Sequence, residues 1–212
     1  MTPAQKFAVF LLAAATTVPV GGATDSRTLY TIDSQKSKLE IQVAREGFFK
    51  AFGHDHLVSA KEFSGEVQLD SAKLENSSVS FTVEAKSLAV LDPGESEKDR
   101  KDVQTTMLGE QVLGVERYPQ IQFSSSSVKV VSKKKGVYEL QVEGTLSLHG
   151  AKKPVTVPVR AQILEDGTLS AYADVPLLQS DYGITPIKIA GGTVRVKDRL
   201  KLTFQILARK GS

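Results

Sequence analysis

Residues 193–209 read TVRVKDRLKLTFQILAR, and in this stretch Val194, Val196, Leu200, Leu202, Phe204, Ile206 and Ala208 alternate with Arg195, Lys197, Arg199, Lys201, Thr203, Gln205 and Arg209. A repeat of two puts one set on each face of an extended chain, so the stretch predicts one strand with an apolar stripe and a cationic outer face. A strand of this length does not stand as an isolated hairpin; it needs partner strands that curl around a core or a cavity. The remaining sequence decides what the apolar stripe faces.

Upstream, the same alternation recurs at Leu39, Ile41 and Val43, at Phe63, Gly65, Val67 and Leu69, and at Val79, Phe81 and Val83. It continues at Ile121 and Phe123, at Tyr138, Leu140 and Val142, from Val155 to Ile163, and from Leu169 to Val175. Half-buried antiparallel strands dominate such a chain. Breaks fall at Asp70 to Ser78, at Lys133 to Gly136 and at Asp166-Gly167, all rich in turn residues. One helix interrupts the strands. Asp92-Pro93-Gly94 stops a strand, and residues 95–112 contain no proline and bring Val103, Met107, Leu108 and Val112 near one face, before glycines at 109 and 114 end the helix.

The expected class is all-β, a packed sandwich or a closed antiparallel barrel, with the helix at 95–112 alongside. A barrel of about eight strands has an interior just wide enough to be filled by side chains or to hold one small ligand. Here the inward sets are rich in Val, Ala and Gly and the chain has no Trp, which favours a cavity.

At 212 residues, 41% hydrophobic and 24% charged, the chain is long enough for one well-buried domain and is not a disordered one. Its formal charge of +3 is far from the dense basic patches of a nucleic-acid binder, so no nucleic-acid partner is expected. Lys6, the apolar run Phe7 to Ala15 and the small residues Gly21 and Ala23 read as a cleaved secretory signal over residues 1–23, leaving residues 24–212 as the mature domain. That run is shorter than the roughly 20 apolar residues of a membrane span, so a soluble, periplasmic protein is expected. The absence of cysteine excludes disulfides and a lipid-modified cysteine anchor.

Two of the three histidines, His54 and His56, stand two residues apart around Asp55; in an extended segment they share a side and could chelate a metal if a third ligand arrived. The plainer reading makes them hydrogen-bonded groups at a barrel mouth. Phe48, Phe49, Phe52 and Phe63 add aromatic surface, a mixture that suits either a pocket orienting a polar head or ordinary core. Cations of the closing strand could attract anionic heads, but a solvated outer face explains them more simply. No Gly-x-Ser-x-Gly, His-Glu-x-x-His, Walker or Gly-x-Gly-x-x-Gly motif occurs, and Ser124 to Ser127 reads as a strand end. No enzyme and no cofactor is expected. The alternatives are a metal- or histidine-dependent enzyme centred on His54, Asp55 and His56, or a ligand-free structural envelope protein.

Several segments taken together resemble a known family: Tyr30-Thr31-Ile32-Asp33, Phe63-Ser64-Gly65, the run from Tyr118 to Ser125, the run from Gly144 to Val155, Asp181-Tyr182-Gly183-Ile184, Gly191-Gly192 and Val196-Lys197-Asp198. In this order, over about Tyr30 to Ala208, they resemble the YceI-like family of exported lipid-binding proteins. The resemblance implies a lipocalin-like barrel of eight strands with a helix alongside, holding an isoprenoid or fatty-acid-derived amphiphile in its lumen. Because a bilayer offers a lipid nearly the same gain as the lumen, transient contact with a membrane surface is expected, and a homodimer through outer strands is left open. The segment Gly53 to Leu57 departs from better-known members. On alternation and resemblance together, the ligand-binding residues are expected to be Leu39, Ile41, Val43, Phe52, His54, His56, Val67, Phe81, Phe123, Leu140, Val142, Leu202 and Phe204.

Overall fold

The structure is a computed structural model and describes residues 27–46, 55–189 and 194–211. The expected signal segment, Phe48, Phe49, Phe52, His54 and Gly191-Gly192 lie outside the described residues. In chain order the elements are β1 (Thr28–Ile32), β2 (Lys38–Val43), β3 (Arg45–Glu46), β4 (His56–Ala60), β5 (Phe63–Leu69), β6 (Ser78–Glu84), β7 (Leu88–Val90) and α1 (Glu97–Leu108). There follow β8 (Gln120–Lys134), β9 (Val137–Leu148), β10 (Ala151–Ile163), β11 (Leu169–Leu178), β12 (Lys188–Ile189), β13 (Val194–Val196) and β14 (Arg199–Lys210).

Pairing runs β1–β5–β6–β8–β9–β10–β11–β14 and closes from β14 back onto β1, giving an antiparallel barrel of eight strands. Closure leaves the wall without the two free edges of an open sheet. Three wall strands are bent rather than ended. β1 pairs the end of β14 at Ile32↔Ala208, while β2 pairs its beginning at Leu39↔Phe204 and Ile41↔Leu202, so the two are halves of one strand. At the bend, the hydroxyl of the buried Ser37 accepts from the Leu207 N–H at 2.9 Å and donates to its carbonyl at 3.2 Å, replacing the missing ladder bonds. The pairs β4 with β5 and β6 with β7 bend likewise, because β4 and β7 pair with each other while β5 pairs with β6.

Two tight hairpins rest on left-handed backbone. Lys135-Gly136, with φ of 50° and 81°, joins β8 to β9, and His149-Gly150, with φ of 50° and 76°, joins β9 to β10. Positive φ at both central residues is the turn whose twist matches the flanking strands. His149 is therefore a turn residue; its Nδ1 lies 3.1 Å from the Tyr182 carbonyl and its ring packs edge-on against Tyr118. Register shifts at Ser125/Ser127 and Val130/Ser132 interrupt β8, so Phe123 and Val128, of opposite parity, both face the lumen. Ser124 to Ser127 thus lie inside β8 rather than at a strand end; Ser125 accepts the Val79 N–H and Ser127 donates to Glu143.

The stretch 193–209 is two strands, not one. β13 joins β12 and β3 in a separate small sheet, and the barrel strand begins only at Arg199. Asp198 makes the break: its carboxylate accepts the N–H of Ser180 at 2.8 Å and the Ser180 hydroxyl at 2.6 Å, while its carbonyl accepts the Gln179 N–H. The Ser180 hydroxyl, followed by the Ser180 N–H, holds the Asp198 carboxyl below its ordinary value. The helix is also shorter than 95–112. Ser96 caps its start by accepting the Asp99 N–H, and Gly109 closes it by donating to Thr105 and Thr106, after which the chain folds back through Val112 and Leu113. No residue of α1 is buried.

Candidate functional site

The inward stripes enclose a cavity of about 980 Å³ that runs the length of the barrel. This is the top of the range for pockets that swallow a small ligand. Among the described residues no large side chain is fully sealed. Leu39, Ile41, Val43, His56, Val67, Phe81, Phe123, Leu140, Val142, Leu202 and Phe204 all line it. Phe52 and His54 fall outside the described residues. The strand positions in this set share the inward phase read from the alternation, and His56 joins them from the start of β4.

An aromatic belt crosses the middle. Phe81 stands opposite Phe123 on the β6–β8 ladder, packs tilted against Phe63 at 5.5 Å and meets Phe204 edge to face at 5.8 Å. Two glycines make room for it. A Cβ on Gly144 would sit 2.6 Å from the Phe123 ring, and one on Gly65 would sit 3.1 Å from the Phe81 ring and 2.7 Å from Ile32. Each ring therefore lies down on a neighbouring backbone, which flattens the belt and keeps the lumen open.

Charge is confined to one end. The charged and imidazole side chains in the lining are Arg45, His56, Glu95, Asp99, Asp102 and Arg195, from β3, β4, the start of α1 with the residue before its cap, and β13. The other end is lined by residues such as Leu69, Leu74, Val128, Leu140 and Leu169. Arg195 is solvent-exposed, as the outer-face reading has it, but it sits in the small sheet at the cavity rim and pairs there with Glu46 at 2.6 Å. Lys201 does lie on the outside, 3.3 Å from Asp174.

Of the expected trio, His54 lies outside the described residues, and Asp55 and His56 take different partners. The partner of His56 is Asp92, with Nδ1 2.6 Å from its Oδ2, and the other oxygen of this buried carboxylate accepts the Leu57 N–H at 2.8 Å. Asp55 instead accepts the Arg45 N–H at 3.1 Å. Among the described residues no three His, Cys, Asp or Glu side chains converge as a metal set would require. Asp92 was visible in the sequence only as part of a strand stop. Arg45 carried a readable signal, since it continues the inward phase of Leu39, Ile41 and Val43.

α1 covers the free edge of β7. The Gln104 side chain accepts the Val90 N–H at 2.8 Å and donates to the Leu88 carbonyl at 2.6 Å, so a side-chain amide completes the ladder where a strand would otherwise be needed. Val103 and Met107 turn the helix's apolar side to the lumen. A second weak point of the wall lies across the barrel. β10 pairs with β11 only from Arg160 to Ile163, and the N-terminal part of β10 carries Pro154 and Pro158, which have no N–H to donate.

Residues 30–208 match the family model of the YceI-like domain. Among curated proteins, the chain is 28% identical over 129 residues to a UPF0312 protein of Shewanella denitrificans and 34% identical over 96 residues to one of Pseudomonas putida. These matches cover 60% and 45% of this chain and 59% and 44% of the relatives, so the chain spans about half the length of the curated relatives it matches. Among solved structures it is similar to BcnA of Burkholderia cenocepacia, with a TM-score of 0.66 at 24% identity over 84% of this chain and 99% of that one. It is also similar to a polyisoprenoid binding domain of Saccharophagus degradans, with a TM-score of 0.61 at 12% identity over 86% and 98% of the two chains. The barrel, its helix and a family match over nearly all the described residues agree: the chain belongs to the YceI-like domain family.

Proposed function

We propose that the protein binds one long-chain amphiphile, isoprenoid-type or fatty-acid-derived, in the barrel lumen and carries or stores it. The observation that carries this reading is the cavity of about 980 Å³, apolar along its length and charged at one end only. The 13 residues of β10 rise about 43 Å, and a strand tilt of about 40° leaves about 33 Å along the axis, the length of an extended long acyl or prenyl chain. The shared fold of the polyisoprenoid binding domain supports the same reading.

Energetics make a carrier of such a barrel. Each methylene moved from water into the lumen gains about 0.8 kcal/mol, but a bilayer offers nearly the same gain. Transfer between membrane and barrel is therefore close to neutral, and loading and unloading can follow local supply. The N-terminal signal pattern supports a periplasmic site of action, checked by fractionation and by sequencing the mature N-terminus. The test of binding is Phe123→Asp, which sets a carboxylate in the belt. Lipid released from the purified, folded variant by organic extraction should fall to background, and unaltered lipid content would contradict the proposal.

A further inference from the structure

The mouth contains a donor with nothing to donate to. Among the described residues, Nη1 of Arg45 is the one buried side-chain polar atom without a hydrogen-bond partner. The Asp55 carboxylate, itself exposed, lies 4.0 Å from the Nε of the same guanidinium and does not meet Nη1. Leaving a buried donor unpaired is costly, and Arg45 lines the cavity, where a ligand can supply the acceptor.

His56 stands beside it. Val43 pairs with His56 across β2 and β4, and Arg45 lies two residues beyond Val43 on the same inward face, so Arg45 and His56 are diagonal neighbours within reach of one small group. With Nδ1 held by Asp92, the remaining polar atom of the imidazole is Nε2. The other charges at the mouth are already engaged. Asp99 accepts from Ser96 at 2.7 Å, Asp102 from Lys98 at 3.2 Å, Arg195 pairs with Glu46, and Glu95 also has a partner.

We propose that Arg45 and His56 form a head-group site, with Asp92 as the positioning residue of His56, and that it selects amphiphiles whose head is a carboxyl or phosphoryl group. This rests on the lumen-binding reading above. A head of this class satisfies both side chains. One oxygen accepts from Nη1 of Arg45, and a second either accepts from a protonated Nε2 or, carrying the acid proton, donates to an unprotonated one. The tail then runs down past the aromatic belt to the apolar end.

The test is displacement of N-phenyl-1-naphthylamine from delipidated full-length mature protein by three chains of equal length, palmitate, hexadecyl phosphate and hexadecylamine. Palmitate and hexadecyl phosphate should displace the probe about tenfold or more better than hexadecylamine, and Arg45→Met should bring the three within about twofold, the scale of losing one charged hydrogen bond. The preference is read as a ratio among the three chains within one protein, so any change in probe affinity or thermal midpoint caused by Arg45→Met cancels. Equal displacement by the three in the unaltered protein, or a preference that survives Arg45→Met, overturns the head-group site while leaving lumen binding intact. If neither the probe nor any of the chains binds, both readings fall. Inorganic phosphate at millimolar concentration should not compete with palmitate; full competition would make this a small-anion site and overturn the assignment to an amphiphile.

Discussion

At the belt, Phe63, Phe81, Phe123 and Phe204 lie on strands of 7, 7, 15 and 12 residues, each laddered on both sides and two of them bedded on glycine. At the mouth, Arg45, His56 and Arg195 come from strands of 2, 5 and 3 residues and are placed by hydrogen bonds to Asp55, Asp92 and Glu46. The belt is held by long-range pairing and shape, so changes to the glycines that bed its rings act first on stability. The mouth is held by a few polar contacts, so changes there act on recognition and local order.

The largest effect is expected at Gly144. A Val there drives its side chain into the Phe123 ring and the Ser124 carbonyl, neither of which can leave the wall, and should cost about 2–3 kcal/mol in denaturant unfolding. A variant as stable as the parent would show that the belt is not packed on that glycine. Asp92→Ala comes next. It removes the acceptor of both His56 Nδ1 and the Leu57 N–H in a buried place, at about 1–3 kcal/mol, and should speed hydrogen exchange at Leu57.

Gln104→Ala is expected to cost only about 0.5–1.5 kcal/mol globally, but it uncovers the β7 edge. Exchange at the Val90 N–H should rise while that of the Phe81–Phe123 region stays slow; a uniform rise would mean that α1 braces the whole barrel. The smallest effect belongs to an outer-face pair. Glu143 is held below its ordinary value of 4.5 by hydrogen bonds first from Lys129 and then from Ser127, with the Lys129 charge adding to them. Its contribution is present above that ordinary value and is lost as pH falls through the lowered one. Because the pair is solvent-exposed, Glu143→Gln should slightly flatten the acid limb of the stability profile, and added salt should shrink the difference.

The same contrast explains what was legible in the sequence. Belt and wall follow a period of two over many residues, so alternation, joined to the family resemblance, made Phe81, Phe123, Leu202 and Phe204 lumen candidates, and all four line the cavity. The break between β13 and β14 escaped because Val196 and Leu200 keep the same parity on either side of Asp198, whose acid in the apolar phase was the one local mark of it. Residues 109–112 were read as helix because Val112 keeps the helical spacing from Leu108, whereas Gly109 had already ended the hydrogen-bonded turns. The mouth was half legible: His56 was placed there, but its tie to Asp92, 36 residues away, is a tertiary fact that no local pattern encodes.

The central claim is that the lumen holds a long-chain amphiphile, and the most direct measurement is native mass spectrometry of protein purified without detergent, followed by organic extraction of whatever is released. The account predicts a discrete added mass matching one long-chain species, lost in Phe123→Asp. A bare protein mass from fresh preparations, or an increment of metal alone, would contradict it.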